Sequence, residues 1–172
     1  MSRAATSSAQ VTFFATTALV LLGVLGLAGC APRPEKESSA AEVRAEVEAL
    51  FENYVEALSA SDSTEVISAY APDSQATLAG RGQFFRGREA IGRTARETLL
   101  NPGQNKYDID SLEVIPLGKD YALALVLYAV EPSDQDIPEF HSTATYVLRK
   151  SGGKSGAKWE IIHAHSMSAR EL

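Results

Sequence analysis

Trp159-Glu160-Ile161-Ile162-His163-Ala164-His165-Ser166, near the C-terminus, alternates aromatic, apolar and imidazole side chains with others at a period of two. That is the pattern of a half-buried β-strand, whose side chains point to opposite faces in turn. Read as one unbroken strand, it puts Trp159, Ile161, His163 and His165 on one face. Residues 151–157, rich in glycine and serine, form a hairpin loop by composition, and residues 141–150 are the strand before it. With the hairpin centred near Lys154, Thr145 falls opposite His163 and Thr143 opposite His165, with His141 one pair further on. All three histidines of the chain then share one face of two neighbouring strands.

Two strands precede this hairpin. Residues 106–117 carry Tyr107 and Ile109 on one parity and Leu112 and Val114 on the other, which predicts a bulge near Asp110-Ser111. Residues 121–130 are almost continuously apolar, as expected of a central strand covered on both faces. A short strand is expected at 75–78. Helices come first. In residues 41–60, Val43, Val47, Leu50, Phe51, Tyr54, Val55 and Leu58 form a one-sided stripe, with Glu42, Glu46, Glu48, Glu52 and Glu56 as a solvated face. Asp62 caps a second helix, with Glu65 as its capping-box partner, Val66, Ile67 and Tyr70 inward and Pro72 as the stop. A third helix, 88–100, turns Ile91, Ala95 and Leu99 inward and ends at Asn101-Pro102-Gly103. Helices followed by a bent antiparallel sheet make an α+β fold, three helices on one face of the sheet.

The stretch Phe84-Phe85-Arg86-Gly87-Arg88-Glu89-Ala90-Ile91, entering the third helix, and the closing strand Trp159 to Ser166 carry a family resemblance. In this order of elements they resemble the nuclear transport factor 2-like superfamily and, within it, the SnoaL-like group. That group includes polyketide cyclases and is related to the association domain of calcium/calmodulin-dependent kinase II. The resemblance covers about residues 41–168. It implies a cone whose sheet lines a pocket roofed by helices, with His141, Thr143, Thr145, Trp159, His163 and His165 along its floor and Tyr54 and Tyr70 above. It also implies a homodimer paired through the convex side of the sheet. It does not imply a function, because one fold hosts many.

Within that pocket the histidines have three readings. They are hydrogen-bonded members of a polar floor, or His163 or His165 is an acid–base group near neutrality, or His141, His163 and His165 together hold zinc. The last depends on register, since a slip of one residue sends His141 to the other face. No cofactor is implied. Arg86 and Arg88 around Gly87 are surface charges or an anion receiver. Steroid isomerases of this superfamily pair a buried aspartate with a tyrosine; Asp108 and Asp110 fall on the wrong parity, so the chain departs from that pattern. The reading is a domain that binds a small, largely apolar ligand or acts as an accessory interaction module. The alternatives are a cyclase, isomerase or dehydratase using a pocket histidine, and an oligomerisation hub.

The N-terminus says where the domain is expected to work. Arg3, an apolar run over 18–27 and a small-residue exit have the layout of an export signal over residues 1–29, too short in its apolar core to span a bilayer. Leu27-Ala28-Gly29-Cys30 resembles the lipobox of bacterial lipoproteins, in which Cys30, the only cysteine, is acylated and becomes the new N-terminus. Durable anchoring takes more than one acyl chain, and lipoproteins of this type carry three. Residues 30–40 then form a polar tether, and 169–172 a short tail. Loss of Arg3 with the signal takes the formal charge from −6 to −7, which excludes nucleic acid as a partner. The expected location is the cell envelope, facing away from the cytoplasm.

Overall fold

A computed structural model describes residues 39–72, 74–80, 82–99, 105–153 and 156–168. The export segment, Cys30, nearly all of the tether, the stop at 101–103 and the tail lie outside them.

Ser39 opens α1 (Ala40–Ser59) with a capping box: its hydroxyl accepts from Glu42 N–H at 3.1 Å, and the Glu42 carboxylate accepts from Ser39 N–H at 2.7 Å. The stripe read from the sequence faces inward, with Val43, Val47, Phe51, Tyr54 and Ala57 buried. Asp62 caps α2 (Ser63–Ser68), accepting from the amides of Thr64 and Glu65 at 3.0 Å each. Glu65 takes the Ser68 hydroxyl at 3.1 Å instead of the expected capping-box bond.

Two short strands follow, β1 (Thr77–Gly80) and β2 (Gln83–Arg86). The sequence pattern anticipated only the first, and placed it two residues early. Gly87, at φ +85°, turns β2 into α3 (Arg88–Thr94), a backbone conformation that costs a side-chain-bearing residue dearly. The expected single third helix loosens into a π-helical turn at Ala95–Leu99. Ile91 and Ala95 are buried as read.

The long strands are β3 (Asn105–Pro116), β4 (Tyr121–Pro132), β5 (Phe140–Gly153) and β6 (Gly156–Ser168). The sheet order is β2-β1-β6-β5-β4-β3. All pairs are antiparallel except β1 with β6, which are parallel, so the sheet is mixed where an antiparallel one was expected. The bulge in β3 falls at Asp110, where register shifts between Ile109 and Ser111. It keeps Tyr107, Ile109, Leu112 and Val114 against the core.

Helix α1 lies along β3 and satisfies its open edge. Tyr107 N–H donates to Ser59 Oγ at 2.9 Å, and that hydroxyl donates back to the Tyr107 carbonyl at 3.0 Å. Near the other end Arg44 Nε donates to the Val114 carbonyl at 3.3 Å. One expectation fails at β4. Ala122, Ala124, Val126, Tyr128 and Val130 are buried under the helices, whereas Tyr121 and Leu125 on the other face are 45% and 38% exposed. Among the described residues the helices cover only one face of β4, and Tyr121 and Leu125 stay exposed on the other.

Candidate functional site

The decisive local feature is a second bulge. Along β5 and β6, Lys150 pairs with Trp159 and Leu148 with Ile161, but the next pair is Val147 with His163. Ile162 is the extra residue, and it reverses the parity of everything after it. Trp159, Ile161 and Ala164 are buried on the inner face. His163 and His165 stand on the outer one, in register with Val147 and Thr145 of β5 and with Thr77 and Ala79 of β1. The expected pairing of Thr145 with His163 and Thr143 with His165 is displaced by two residues, one from this bulge and one from the hairpin end, where Gly153 pairs with Gly156; Thr143 faces Met167.

The predicted site therefore divides across the sheet. His141, in register with Ala129, joins the other two histidines on the outer face, together with Thr143 and Thr145. The three imidazoles do share a face, but not the one that Trp159 occupies. His141 lies four residues along β5 from the partner of His165, ~13 Å away at strand rise. Its Nε2 is 2.8 Å from Asp110 Oδ2. That spacing does not bring the three rings around one ion, and no group of metal-holding side chains occurs among the described residues. His163 Nδ1 lies 2.7 Å from Thr77 Oγ1. Burial, and then the neighbouring His165, hold the His163 ring below its usual pKa.

Tyr54, Tyr70 and Trp159 remain on the inner side, and two tyrosines absent from the expected set join them. Tyr128 and Tyr146 hydroxyls are 3.0 Å apart. The Tyr54 hydroxyl adjoins those of Tyr70 and Tyr146, so four phenols cluster beneath α1. All four are buried, and desolvation raises each phenol above its usual range. They are neutral donors and acceptors. Phe51 packs edge-on against Tyr146 at 4.9 Å between ring centres.

At the hairpin end, Trp159 Nε1 donates to Glu46 Oε2 at 2.8 Å, and Lys150 Nζ lies 2.6 Å from the same oxygen. Glu46, expected on a solvated face, instead ties α1 to β5 and β6. Beside this knot runs a groove of about 830 Å³ between α1, α2 and β6. Alanines 49, 57, 60, 69 and 157 line it with Tyr54 and Trp159, and Glu56, Asp62, Glu65 and Lys158 stand around them. A second groove, of about 750 Å³, lies at the β1–β2 hairpin against His165, Ser166 and Met167.

The SnoaL-like domain family matches residues 47–169, from the middle of α1 to the end of the sheet. The chain belongs to that family. No curated protein matches it. Among solved structures, this SnoaL-like chain is similar to a nuclear transport factor 2-like protein of unknown function from Pseudomonas putida. The two share 25% identity with a TM-score of 0.64, over 74% of this chain and 87% of the other. A nuclear transport factor 2-like superfamily protein from Salmonella enterica superposes at TM-score 0.62 with 15% identity, over 76% and 93%. A ketosteroid isomerase-like protein from Erwinia carotovora superposes at 0.58 with 20% identity, over 73% and 95%. The last two likenesses are of fold.

Proposed function

We propose that this SnoaL-like protein is a lipid-anchored binding module of the cell envelope that pairs with a second copy through the outer face of its sheet. The outer face itself carries the reading. Its centre holds Leu123, Leu125 and Leu127 of β4, Thr145 and Val147 of β5 and Ala79 of β1. Phe84 and Met167 extend it at 57% and 45% exposure. Contiguous apolar surface of this kind marks an interface.

Charge favours a second copy of this chain as the occupant. One edge of the face carries Arg86 on β2, and the other carries Glu113 on β3, with Asp108 farther along that edge and paired to Lys106 at 3.0 Å. A two-fold axis along the strands, between β6 and β5, sets β2 of each copy over β3 of the other. Arg86 and Phe84 then lie over the Glu113–Ile115 stretch, and the leucines of β4 meet Thr77 and Ala79 of β1.

The groove under α1 is the ligand side of the same reading. Its alanines with Tyr54 and Trp159 suit a small, largely apolar molecule. A cyclase or isomerase would need a free acid or base on the inner face, where the imidazoles are absent and the carboxylate against Trp159, that of Glu46, is held by Lys150. Anchoring rests on the sequence around Cys30. Native mass spectrometry of the lipidated protein purified from its own host tests the whole reading. Two copies with a co-purifying small molecule are expected; a monomer would overturn the pairing, and a bare dimer the ligand.

A further inference from the structure

We propose that this pairing is gated by protonation of His163 and His165, the two faces separating as the pH falls below about 6. The gating rests on the outer-face pairing proposed above. Both rings stand on β6, the third of six strands, and so sit near the middle of the face rather than at its rim.

Among the described residues, the one carboxylate next to the two rings on β6, that of Glu160, already faces Arg149. From β1 they are flanked by Thr77 and Ala79, and from β5 by Val147 and Thr145. The charged groups nearby are few. Arg86 on β2 stands in line with Thr77 and His163. Glu160, the next outward side chain on β6, lies 3.7 Å from Arg149 of β5. On β4 the facing residues are Leu123 and Leu125, and Glu113 closes the His165 row only at the far edge, on β3. His141 is at the rim and already against Asp110 at 2.8 Å. On the two-fold described above, β6 meets β5 of the second copy, so Thr145 and Val147 are what each ring gains.

Pairing thus removes water from both rings and supplies no carboxylate. Burial disfavours the charged imidazole, and in the single chain it already holds His163 below the usual value. A pair whose histidines have lower pKa values than the free copies binds fewer protons, so falling pH favours the free copies. One unit of lowering is a factor of ten per site. At about pH 5.5 ordinary carboxylates stay ionised, which leaves the imidazoles as the groups that change.

Sedimentation equilibrium of the full chain in a density-matched non-ionic detergent, at about pH 7.5 and about pH 5.5, reads the effect. The dissociation constant is expected to rise at least tenfold at the lower pH. That ratio should collapse in a His163→Gln/His165→Gln variant and persist in His141→Gln. Should circular dichroism show the double variant unfolded, each single variant is expected to lose about half of the logarithm of the ratio. A protein that pairs equally at both pH values, or a double variant that keeps the full ratio, overturns the gating and leaves the pairing standing. A monomer at about pH 7.5 overturns both.

Discussion

The indole N–H of Trp159 donates to the carboxylate of Glu46, 113 positions away, at 2.8 Å. It joins the first helix to the last strand. Glu46→Ala removes both this bond and the Lys150 ion pair. With the carboxylate 44% exposed, solvent screens part of that, and a loss of about 1 kcal/mol is expected. Urea unfolding followed by the fluorescence of Trp159, the only tryptophan, measures it. The bond from Lys150, then that from Trp159, hold the Glu46 carboxyl below its usual value of 4.5. A lowered folded-state value means the stabilisation is present above pH 4.5 and is lost as pH falls through the folded value. Glu46→Gln should therefore flatten the acid limb of stability against pH; an unchanged limb contradicts this.

Deleting Ile162 removes the bulge and leaves Ile161 followed directly by His163, so that the pairs Leu148–Ile161 and Val147–His163 become consecutive. Ile161 and Ala164 would then stay inward and His163 and His165 outward, as they are with the bulge present. The deletion is therefore expected to keep a cooperative thermal transition with a modest loss of stability. A deletion variant without a cooperative transition would contradict the role of Ile162 as the extra residue.

Much of this fold is legible in the sequence because its signals are periodic. The α1 stripe, the Asp62 cap and the parity switch at Asp110 each leave a mark that burial of one face requires. Ile162 leaves none. Ile161 and Ile162 are both apolar, so the strand reads equally well on either parity, and His163 and His165 followed Trp159 to the wrong face. The isoleucine doublet followed by small Ala164 was the available hint. Tyr128 and Tyr146 were missed within apolar runs, although Tyr128 shares the parity of Ala124 and Val126. The strand Gln83–Arg86 is four residues long, below what alternation alone separates from a helix approach.

Tyr146 bonds the Tyr128 hydroxyl at 3.0 Å, and its ring packs against Phe51 and Tyr54. Tyr146→Phe keeps the ring contacts and takes that partner from the buried Tyr128 hydroxyl. The expected cost is about 1–3 kcal/mol. Tyr70→Phe leaves the Tyr128–Tyr146 bond intact and should cost less. Equal costs in urea unfolding would mean that this bond adds nothing.

Pairing through the outer face is most directly tested by photo-crosslinking the full chain in its own membrane. A photoreactive phenylalanine replaces Leu125, at the centre of the face, or Glu48, on the solvent side of α1. The account predicts a product of twice the chain mass from position 125 and none from position 48. Absence of that product from 125, or equal yield from both positions, would contradict it.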